Sequence, residues 1–474
     1  MKTTIKLISS LSLALTLVLI ACSSDDPAPS KSGTKEIKTF NLGALNPAVS
    51  ATIDAAAKTI KAELPIGSDL TKIVPTITVS DKATVSPASG VVQDFSKPVT
   101  YTVTAEDGTS QVYIVTLSIV NNGTVFIGNL DGFFYALDAI TGAKKWEFKA
   151  GDAIQATPTI ANGIVYITSW DKKLYALDVI TGAKKWEFLH GMTHPFWSPM
   201  VADGLIYLGG DPNFYALDAA TGTKKWEFKG DDVYTFESSP TVVGGVVYVS
   251  LRGTAASIQG VGTFALDAKT GAKLWSKPTG VWVTESSPSV VNNVVYAGSE
   301  GDGILAFDAA TGTKKWEFKE VSCVNSAPTV VNGIVYIGSG APDRNGKLYA
   351  FDATSGAKKW EFITPGGEPD YSSPIVANGI AYVGSGATLY AVDATTGAKK
   401  WEAKPEENNL IFSGPVVATN LVYIGIGKKM YAFDAATGTK KWEYLTSRTI
   451  DMASPAVMDK NGKAFHAGIS GMVQ

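Results

Sequence analysis

The chain has 474 residues, with 41 Lys and Arg against 44 Asp and Glu and a formal net charge of −3. This near balance argues against a nucleic-acid-binding protein, which needs a strongly basic surface to neutralise phosphates. Only two cysteines are present, which excludes a disulfide-rich scaffold. The length is sufficient for more than one domain.

Residues 1–21 have the pattern of a signal peptide. Lys2 and Lys6 precede an apolar run at residues 11–20, which is too short for a comfortable membrane span. The run ends in Leu19-Ile-Ala-Cys22, which resembles a bacterial lipobox and makes Cys22 the predicted site of lipidation. Several acyl chains on one cysteine would anchor the protein stably to a membrane. The alternative is an ordinary secretory signal in which the cysteine is incidental.

Residues 22–35 are predicted to form a tether that begins with the lipidated cysteine. The part from Pro27 to Lys35 is rich in Pro, Ser, Gly and Lys, which is typical of flexible linkers. The preceding Ser23-Ser-Asp-Asp26 resembles the short acidic tags that send some Gram-negative lipoproteins to the outer cell surface. We therefore expect an outer-membrane lipoprotein that is exposed at the cell surface, with a periplasm-facing orientation as the alternative.

Residues 36–120 are predicted to form an immunoglobulin-like β-sandwich. About seven short runs alternate apolar and polar residues, as in Val99-Thr-Tyr-Thr-Val-Thr104, and turn signals such as Glu106-Asp-Gly-Thr109 separate them. The runs at residues 64–70, 85–90 and 94–107 resemble an Ig-like domain found just after the lipidated cysteine in Gram-negative surface lipoproteins. This resemblance implies a spacer or stalk with no chemistry attached.

Residues 121–474 contain near copies of one motif, Tyr215-Ala-Leu-Asp-Ala-Ala-Thr-Gly-Thr-Lys-Lys-Trp-Glu-Phe228. The tryptophans of the eight copies lie 40 to 49 residues apart and are Trp146, Trp186, Trp226, Trp275, Trp316, Trp360, Trp401 and Trp442. A repeat of this length, rich in β-branched residues and glycine, matches one four-stranded propeller blade. The sequence therefore predicts an all-β protein, an Ig-like β-sandwich followed by an eight-bladed β-propeller.

Within the motif, the hairpin glycine suits a positive φ, and the aspartate before it can bind its own turn amides. Strict alternation in the last strand places Lys184, Trp186 and Phe188 on one face and Lys185 and Glu187 on the other. We expect each indole to dock between blades, with its N–H on a neighbouring carbonyl, which contributes about 4–5 kcal/mol before entropy losses. An aromatic cage for a ligand is the alternative. The paired lysines are expected to protect an unpaired edge strand, the alternative being a basic belt for anionic polymers.

The pattern Ala-x-Asp-x-x-Thr-Gly-x-x-x-Trp resembles the tryptophan-docking motif of the pyrroloquinoline-quinone (PQQ)-like propeller superfamily. Ser355 and Leu274 are minor departures from it. The superfamily includes quinoprotein dehydrogenases and the propeller lipoprotein subunit of the outer-membrane β-barrel assembly machinery. The resemblance implies the fold but not an activity.

The first blade lacks an inner strand of its own. Ala453-Ser-Pro-Ala-Val457, after the last tryptophan, is predicted to supply it and so to close the ring without a covalent bond. Lys463-Ala-Phe-His-Ala-Gly468 is a second strand in this region, and the pattern leaves open which of the two is used.

Variation among the repeats concentrates before each inner strand and after the second strand, which predicts a binding face at the channel mouth. Three residues before the inner-strand proline, the repeats carry Gln155, Phe196, Glu237, Glu285, Asn325, Tyr371, Phe412 and Met452. Glu237, Glu285 and Asn325 in consecutive blades form an oxygen set that Ca²⁺ could use, although polar residues at a wet channel mouth are the preferred interpretation.

Other unusual residues on the predicted face are Trp170, His194, Trp197, Arg252, Trp282, Arg344 and Asp370. Exposed tryptophans beside carboxylates and amides suit sugar rings or a peptide partner. The resulting candidate ligand-binding residues are Trp197, His194, Glu237, Trp282, Glu285, Asn325, Tyr371, Arg252 and Arg344. His190 and His194 lie four apart in a loop without a third ligand, so no metal site is expected there.

We expect a non-catalytic protein without a cofactor. Quinoprotein alcohol dehydrogenases typically carry a vicinal cysteine pair over the cofactor, whereas Cys323 is the only cysteine here besides Cys22. The expected function is that of a monomeric, lipid-anchored scaffold that binds a glycan or a protein partner on the propeller face. A periplasmic scaffold similar to the outer-membrane assembly factor is the alternative, and a dehydrogenase with PQQ and Ca²⁺ is the least favoured.

Overall fold

The computed structural model describes residues 30–43, 49–65, 68–120, 122–192, 195–210, 212–229, 234–236, 238–253, 262–278, 286–299, 303–319, 324–340, 346–365, 367, 369, 371–405 and 410–466. Cys22, the predicted signal peptide and the predicted acidic tag lie outside them. Within these ranges, the one helix is a 3₁₀ turn at Leu70–Lys72, and no helix is long and apolar enough to cross a membrane. The chain divides into two compact units between Ile119 and Val120.

The N-terminal unit is a sandwich of two sheets. Its strands are β1 Ile37–Leu42, β2 Val49–Ser50, β3 Thr52–Asp54, β4 Thr59–Pro65, β5 Thr76–Val79, β6 Thr84–Ser86, β7 Val99–Thr104 and β8 Ser110–Val120. One sheet has the order β2-β1-β5 and the other β3-β4-β8-β7-β6. Alternate residues of the strands point into one core, where Phe40 and Tyr101 meet edge to face at 5.5 Å.

The described residues of the C-terminal unit form eight antiparallel sheets, numbered here in chain order. Sheet 1 begins with β9 Thr124–Gly128, β10 Phe133–Asp138 and β11 Lys144–Lys149. Sheets 2 to 4 comprise β12 Thr159–Ala161, β13 Ile164–Ser169, β14 Lys173–Asp178 and β15 Lys184–Leu189; β16 Met200–Ala202, β17 Leu205–Gly209, β18 Asn213–Asp218 and β19 Lys224–Lys229; and β20 Tyr234–Phe236, β21 Thr241–Val243, β22 Val246–Gly253, β23 Gly262–Asp267 and β24 Lys273–Pro278.

Sheets 5 to 8 repeat the same short inner strand followed by three longer ones. They comprise β25 Ser289–Val291, β26 Val294–Ser299, β27 Gly303–Asp308 and β28 Lys314–Phe318; β29 Thr329–Val331, β30 Ile334–Ser339, β31 Lys347–Asp352 and β32 Lys358–Ile363; β33 Ile375–Ala377, β34 Ile380–Ser385, β35 Thr388–Asp393 and β36 Lys399–Ala403; and β37 Val416–Ala418, β38 Leu421–Ile426, β39 Lys429–Asp434 and β40 Lys440–Leu445. β41 Ala456–Met458 and β42 Ala464–His466 return to sheet 1. The all-β class and the propeller architecture predicted from the repeats are confirmed.

The two C-terminal strands have different places in sheet 1. β41 pairs with β9, with Val457 opposite Val125, and so supplies the inner strand that the first repeat lacks. β42 pairs with the other edge of β41, with His466 opposite Ala456. It also contacts β12 and β37, the inner strands of the two neighbouring sheets. Both candidate strands are therefore used, and β42 lies on the channel side of sheet 1.

Each docking tryptophan lies against the hairpin glycine of the next sheet. A Cβ placed on Gly397 would stand 2.8 Å from Cδ2 of Trp360, and this glycine has a φ of +74°. The same contact joins the last sheet to the first, because a Cβ on Gly142 would stand 2.7 Å from Cε3 of Trp442. The glycine is thus required both by its backbone conformation and by the indole packed on it.

Six indole N–H groups donate to a backbone carbonyl of the next sheet at 3.0 to 3.1 Å. They belong to Trp226, Trp275, Trp316, Trp360, Trp401 and Trp442. The indole N–H groups of Trp146 and Trp186 are buried without an acceptor in the described part of the chain.

The prediction that Lys184 shares a face with Trp186 is wrong. A β-bulge shifts the register, because Ala176 pairs with Trp186 while Leu177 pairs with Lys184, and the same shift recurs in all eight sheets. Lys184 therefore lies beside Glu187, with Nζ 2.7 Å from its carboxylate. The bulged Lys185 reaches back to the hairpin aspartate Asp178 at 3.0 Å, so both lysines are ion-paired.

Candidate binding site at the channel mouth

A ring of hydroxyl side chains lies where the inner strands begin. These residues come immediately before the inner-strand prolines and line one cavity of about 90 Å³; they are Thr157, Ser198, Ser239, Ser287, Ser373 and Ser454. Sequence reasoning considered the position three residues before each proline and missed this one. The recurring Ser-Pro dipeptide was the signal that could have revealed it.

We call these six residues the serine ring, although one of them is a threonine. Hydrogen bonds between neighbouring sheets hold it in place. The backbone N–H of Ser198 donates to Oγ of Ser239, and the N–H of Ser239 donates to Oγ of Ser287, each at 2.9 Å. Oγ of Ser373 and Oγ of Ser454 accept in the same way from the N–H groups of Ala327 and Gly414, at 2.9 and 2.7 Å. The hydroxyls of the four accepting serines make no other hydrogen bond within the described part of the chain. Each can therefore donate its proton to a ligand in the channel.

Above the serine ring, the cavity is lined by the variable positions singled out in the sequence. Five of the eight line it, namely Phe196, Asn325, Tyr371, Phe412 and Met452. Gln155 is instead buried and donates from Nε2 to Oδ2 of Asp451 at 2.7 Å. Burial raises the pKa of Asp451, although the bond from Gln155 opposes this. The structure thus brings three residues of the candidate set, Trp197, Asn325 and Tyr371, into one cavity.

Aromatic side chains form two groups at the mouth. Tyr371 and Phe412, which precede β33 and β37, meet edge to face with their ring centroids 6.0 Å apart. Phe196, which precedes β16, meets Trp170 of sheet 2 at 5.5 Å and Trp197 at 6.0 Å. Tyr371 retains 37% of its exposure, so its ring is accessible at the rim.

Trp197 occupies a position that is structural in other sheets. There a serine two residues before the proline bonds the backbone of the second strand, as Ser326 does with both the N–H and the carbonyl of Gly338 at 3.0 and 2.9 Å. An indole cannot make this pair of bonds, and Trp197 lines the cavity instead. This substitution favours a binding role for Trp197 over a structural one.

Several predicted site residues lie outside the described residues: His194, Glu237, Trp282, Glu285, Arg344, Asp370 and Cys323. The backbone of Arg252 pairs with that of Thr235 in sheet 4. Within the described ranges, no three His, Cys, Asp or Glu side chains cluster as metal ligands. The Ca²⁺ hypothesis depends on Glu237 and Glu285 and stays a prediction.

His190 has a structural environment. It is buried, and its Nδ1 accepts the N–H of Met192 at 3.0 Å. Burial lowers its pKa to about 4, so the ring is neutral near pH 7.

The sheets, the docking tryptophans and the hairpin glycines define a β-propeller built from PQQ-type repeats. The family model described as outer membrane protein assembly factor BamB matches residues 109–195, 252–365 and 344–472, more than half of the chain. The chain therefore belongs to this PQQ-type propeller family. A second model, described as the N-terminal domain of SGBP, matches residues 37–117.

Solved structures of similar fold include proteins with different functions. BamB from Moraxella catarrhalis is 20% identical with a TM-score of 0.52, covering 67% of this chain and 90% of its own. A europium-containing methanol dehydrogenase is 18% identical with a TM-score of 0.55, covering 68% and 83%. The dihydro-heme d1 dehydrogenase NirN is 14% identical with a TM-score of 0.58, covering 70% and 74%. These likenesses show the fold alone. A comparison with curated protein sequences gives no significant match.

Proposed function

We propose that this protein is a surface glycan-binding protein, anchored to the outer membrane through a lipid on Cys22. The proposal is carried by the combination of a family match in one unit and a cavity lining in the other. The N-terminal unit matches the N-terminal domain of SGBP, and the propeller mouth is lined by aromatic rings, an amide and hydroxyl groups. Aromatic faces with neighbouring polar groups are suited to sugar rings. The N-terminal unit would act as the stalk that holds the propeller away from the membrane.

The proposed architecture is a closed ring of eight blades, one for each sheet of the C-terminal unit. Each inner strand contacts the next, and β41 contacts both β37 and β12. The tryptophan contact continues from sheet 8 to sheet 1, where the indole N–H of Trp442 donates to the carbonyl of Ala139 at 3.0 Å. In a closed ring of this kind, every sheet packs against a neighbour on both sides, so no terminal sheet has an exposed face.

In the proposed complex, a sugar ring lies across the aromatic residues and its hydroxyls reach the serine ring. The serine hydroxyls supply donors, and the Asn325 amide supplies a donor and an acceptor. In the sequence, Glu237 and Glu285 stand like Asn325 three residues before the inner-strand proline, and at the mouth they would supply charged acceptors. Such a mixture favours a neutral, hydroxyl-rich ligand over a phosphate or sulfate.

We propose that the protein has no catalytic activity and uses neither PQQ nor Ca²⁺. The single cysteine beside Cys22 cannot provide the vicinal pair that the resemblance to quinoprotein alcohol dehydrogenases would require. Reconstitution of the full chain with PQQ and Ca²⁺, followed by a dye-linked alcohol oxidation assay, should give no turnover. Turnover above that of the free quinone would refute this part of the proposal.

A protein-binding scaffold is the second candidate, and the match to the assembly-factor family favours it. In this case the same face would contact a membrane protein from the periplasmic side. Protease treatment of intact cells separates the two: degradation of the protein supports surface display, whereas protection supports the periplasmic scaffold.

A glycan array probed with the full chain tests the glycan-binding function. We expect one class of neutral glycan to bind, and Tyr371→Ala to reduce the affinity about tenfold by removing an aromatic contact. Leu445→Ala is the matched control, because Leu445 is 64% exposed on the outermost strand of sheet 8. Equal loss in both variants, or no glycan bound at all, would refute the proposal.

A further inference from the structure

We infer that the channel mouth recognises the end of a glycan chain rather than an internal segment. This inference rests on the proposed glycan-binding function and concerns the same cavity. It follows from what lies beneath the serine ring, from the placement of the aromatic residues and from the chemistry of the hydroxyls.

The channel beneath the serine ring is narrowed by β42 on the side of sheet 1. β42 runs along the channel-facing edge of β41 and contacts β12 and β37. Nε2 of His466 accepts the N–H of Ile160 in β12 at 3.0 Å, which ties β42 to a second sheet. His466 is opposite Ala456, two residues after Ser454 of the serine ring, so β42 lies directly below the cavity. A ligand entering from the mouth therefore meets β42 as a floor on the side of sheets 8, 1 and 2.

The aromatic residues around the mouth limit how a glycan can lie in the cavity. Phe196 precedes the inner strand of sheet 3 and Tyr371 that of sheet 7, and these sheets are opposite in a ring of eight. The two aromatic groups thus face each other across the mouth. An internal sugar residue carries neighbours on both sides, and both would have to leave through one opening. A terminal residue carries one neighbour and can insert with its free side toward the floor.

The serine ring distinguishes the two kinds of residue chemically. A terminal sugar has a free hydroxyl where an internal residue has a glycosidic bond. Each of the four accepting serines has one lone pair engaged by a neighbouring N–H, as Ser287 has with Ser239, and its hydroxyl can still donate a proton to a ligand. Accepting one bond also strengthens the bond that the hydroxyl donates. Hydroxyls at the end of the glycan chain can therefore form hydrogen bonds with the serine ring, whereas a glycosidic oxygen is a weaker acceptor.

Calorimetry with the full chain and oligosaccharides of the class bound on the array tests the inference. We expect affinity to level off after two or three sugar units, and methylation of the inserted chain end to weaken binding about tenfold or more. On the intact polysaccharide, the number of bound protein molecules should follow the number of chains. Affinity that keeps rising with length and is insensitive to modification of either end would overturn the inference while leaving glycan binding intact. Absence of any glycan binding would instead refute the proposed function.

A truncated chain that stops at Lys463 tests the role of the floor. It removes β42 and keeps β41, which pairs with β9. We expect the truncation to reduce the preference for unmodified chain ends, with unfolding measured in parallel to confirm that the propeller persists. An unchanged preference in a folded truncated protein would refute the role of β42, and if the truncated chain does not fold, the end-modified oligosaccharides decide.

Discussion

Two glycines of sheet 7 have nearly the same positive φ, and only one of them packs against an indole. The energetic cost of crowding the indole can therefore be measured separately from the cost of the backbone conformation. Gly397 and Gly379 in sheet 7 have φ values of +74° and +75°. A Cβ on Gly397 would lie 2.8 Å from both Cδ2 and Cε3 of Trp360, whereas a Cβ on Gly379 meets nothing within 4 Å. Both Ala variants place an L-residue in the left-handed region, at about 1–2 kcal/mol. Overpacking against the indole adds about 1–3 kcal/mol for Gly397→Ala alone.

Guanidinium unfolding followed by tryptophan fluorescence measures the difference. We expect Gly379→Ala to lower the free energy of unfolding by about 1–2 kcal/mol and Gly397→Ala by about 2–5 kcal/mol. The indole N–H of Trp360 donates to the carbonyl of Ala394 at 3.1 Å, so displacement of the ring should also weaken this bond. Equal destabilisation by the two variants would show that the indole yields without cost, and the interpretation of the motif as an inter-sheet wedge would be wrong.

Three further predictions concern groups whose partners differ between repeats. Trp226→Phe should destabilise the protein by about 1 kcal/mol more than Trp146→Phe in the same unfolding assay, because only Trp226 has an acceptor for its N–H; equal losses would contradict this. Lys145→Ala should lower the free energy of unfolding by about 1–3 kcal/mol and Lys185→Ala by less than about 1 kcal/mol, since their side chains are 9% and 40% exposed; the reverse order would refute the reasoning. Burial lowers the pKa of His466 to about 4 from an ordinary value of 6.5, so the unfolded chain binds its proton more readily, and stability should fall by up to about 3 kcal/mol as the pH drops from 6.5 towards 4. His466→Gln should flatten this part of the pH profile, and an unchanged slope would argue against the histidine as its cause.

The repeat made the architecture predictable because one motif specifies turn, strand and packing together. The hairpin aspartate bonds its own turn, as Asp393 does with the N–H of Thr396 at 2.9 Å, and this bond with that of Lys400 holds its pKa at about 2. The bulge before each tryptophan was not predictable from alternation, because an extra residue changes the face of every residue beyond it. The order of β41 and β42 was also undetermined, since both are short apolar strands and pairing depends on the rest of sheet 1.

The candidate site was predictable only in part, for a related reason. Variation among repeats identified Phe196, Asn325 and Tyr371, because positions free of structural duty can differ between sheets. The serine ring escaped this criterion, since Ser239 and Ser287 are repeated and look purely structural. They are structural in one respect, because their oxygens accept neighbouring N–H groups. The same bonds leave each hydroxyl able to donate a proton, so a group that joins two sheets can also bind a ligand in the channel. Uniformity among repeats therefore does not separate construction from binding where the repeated residue has both a donor and an acceptor.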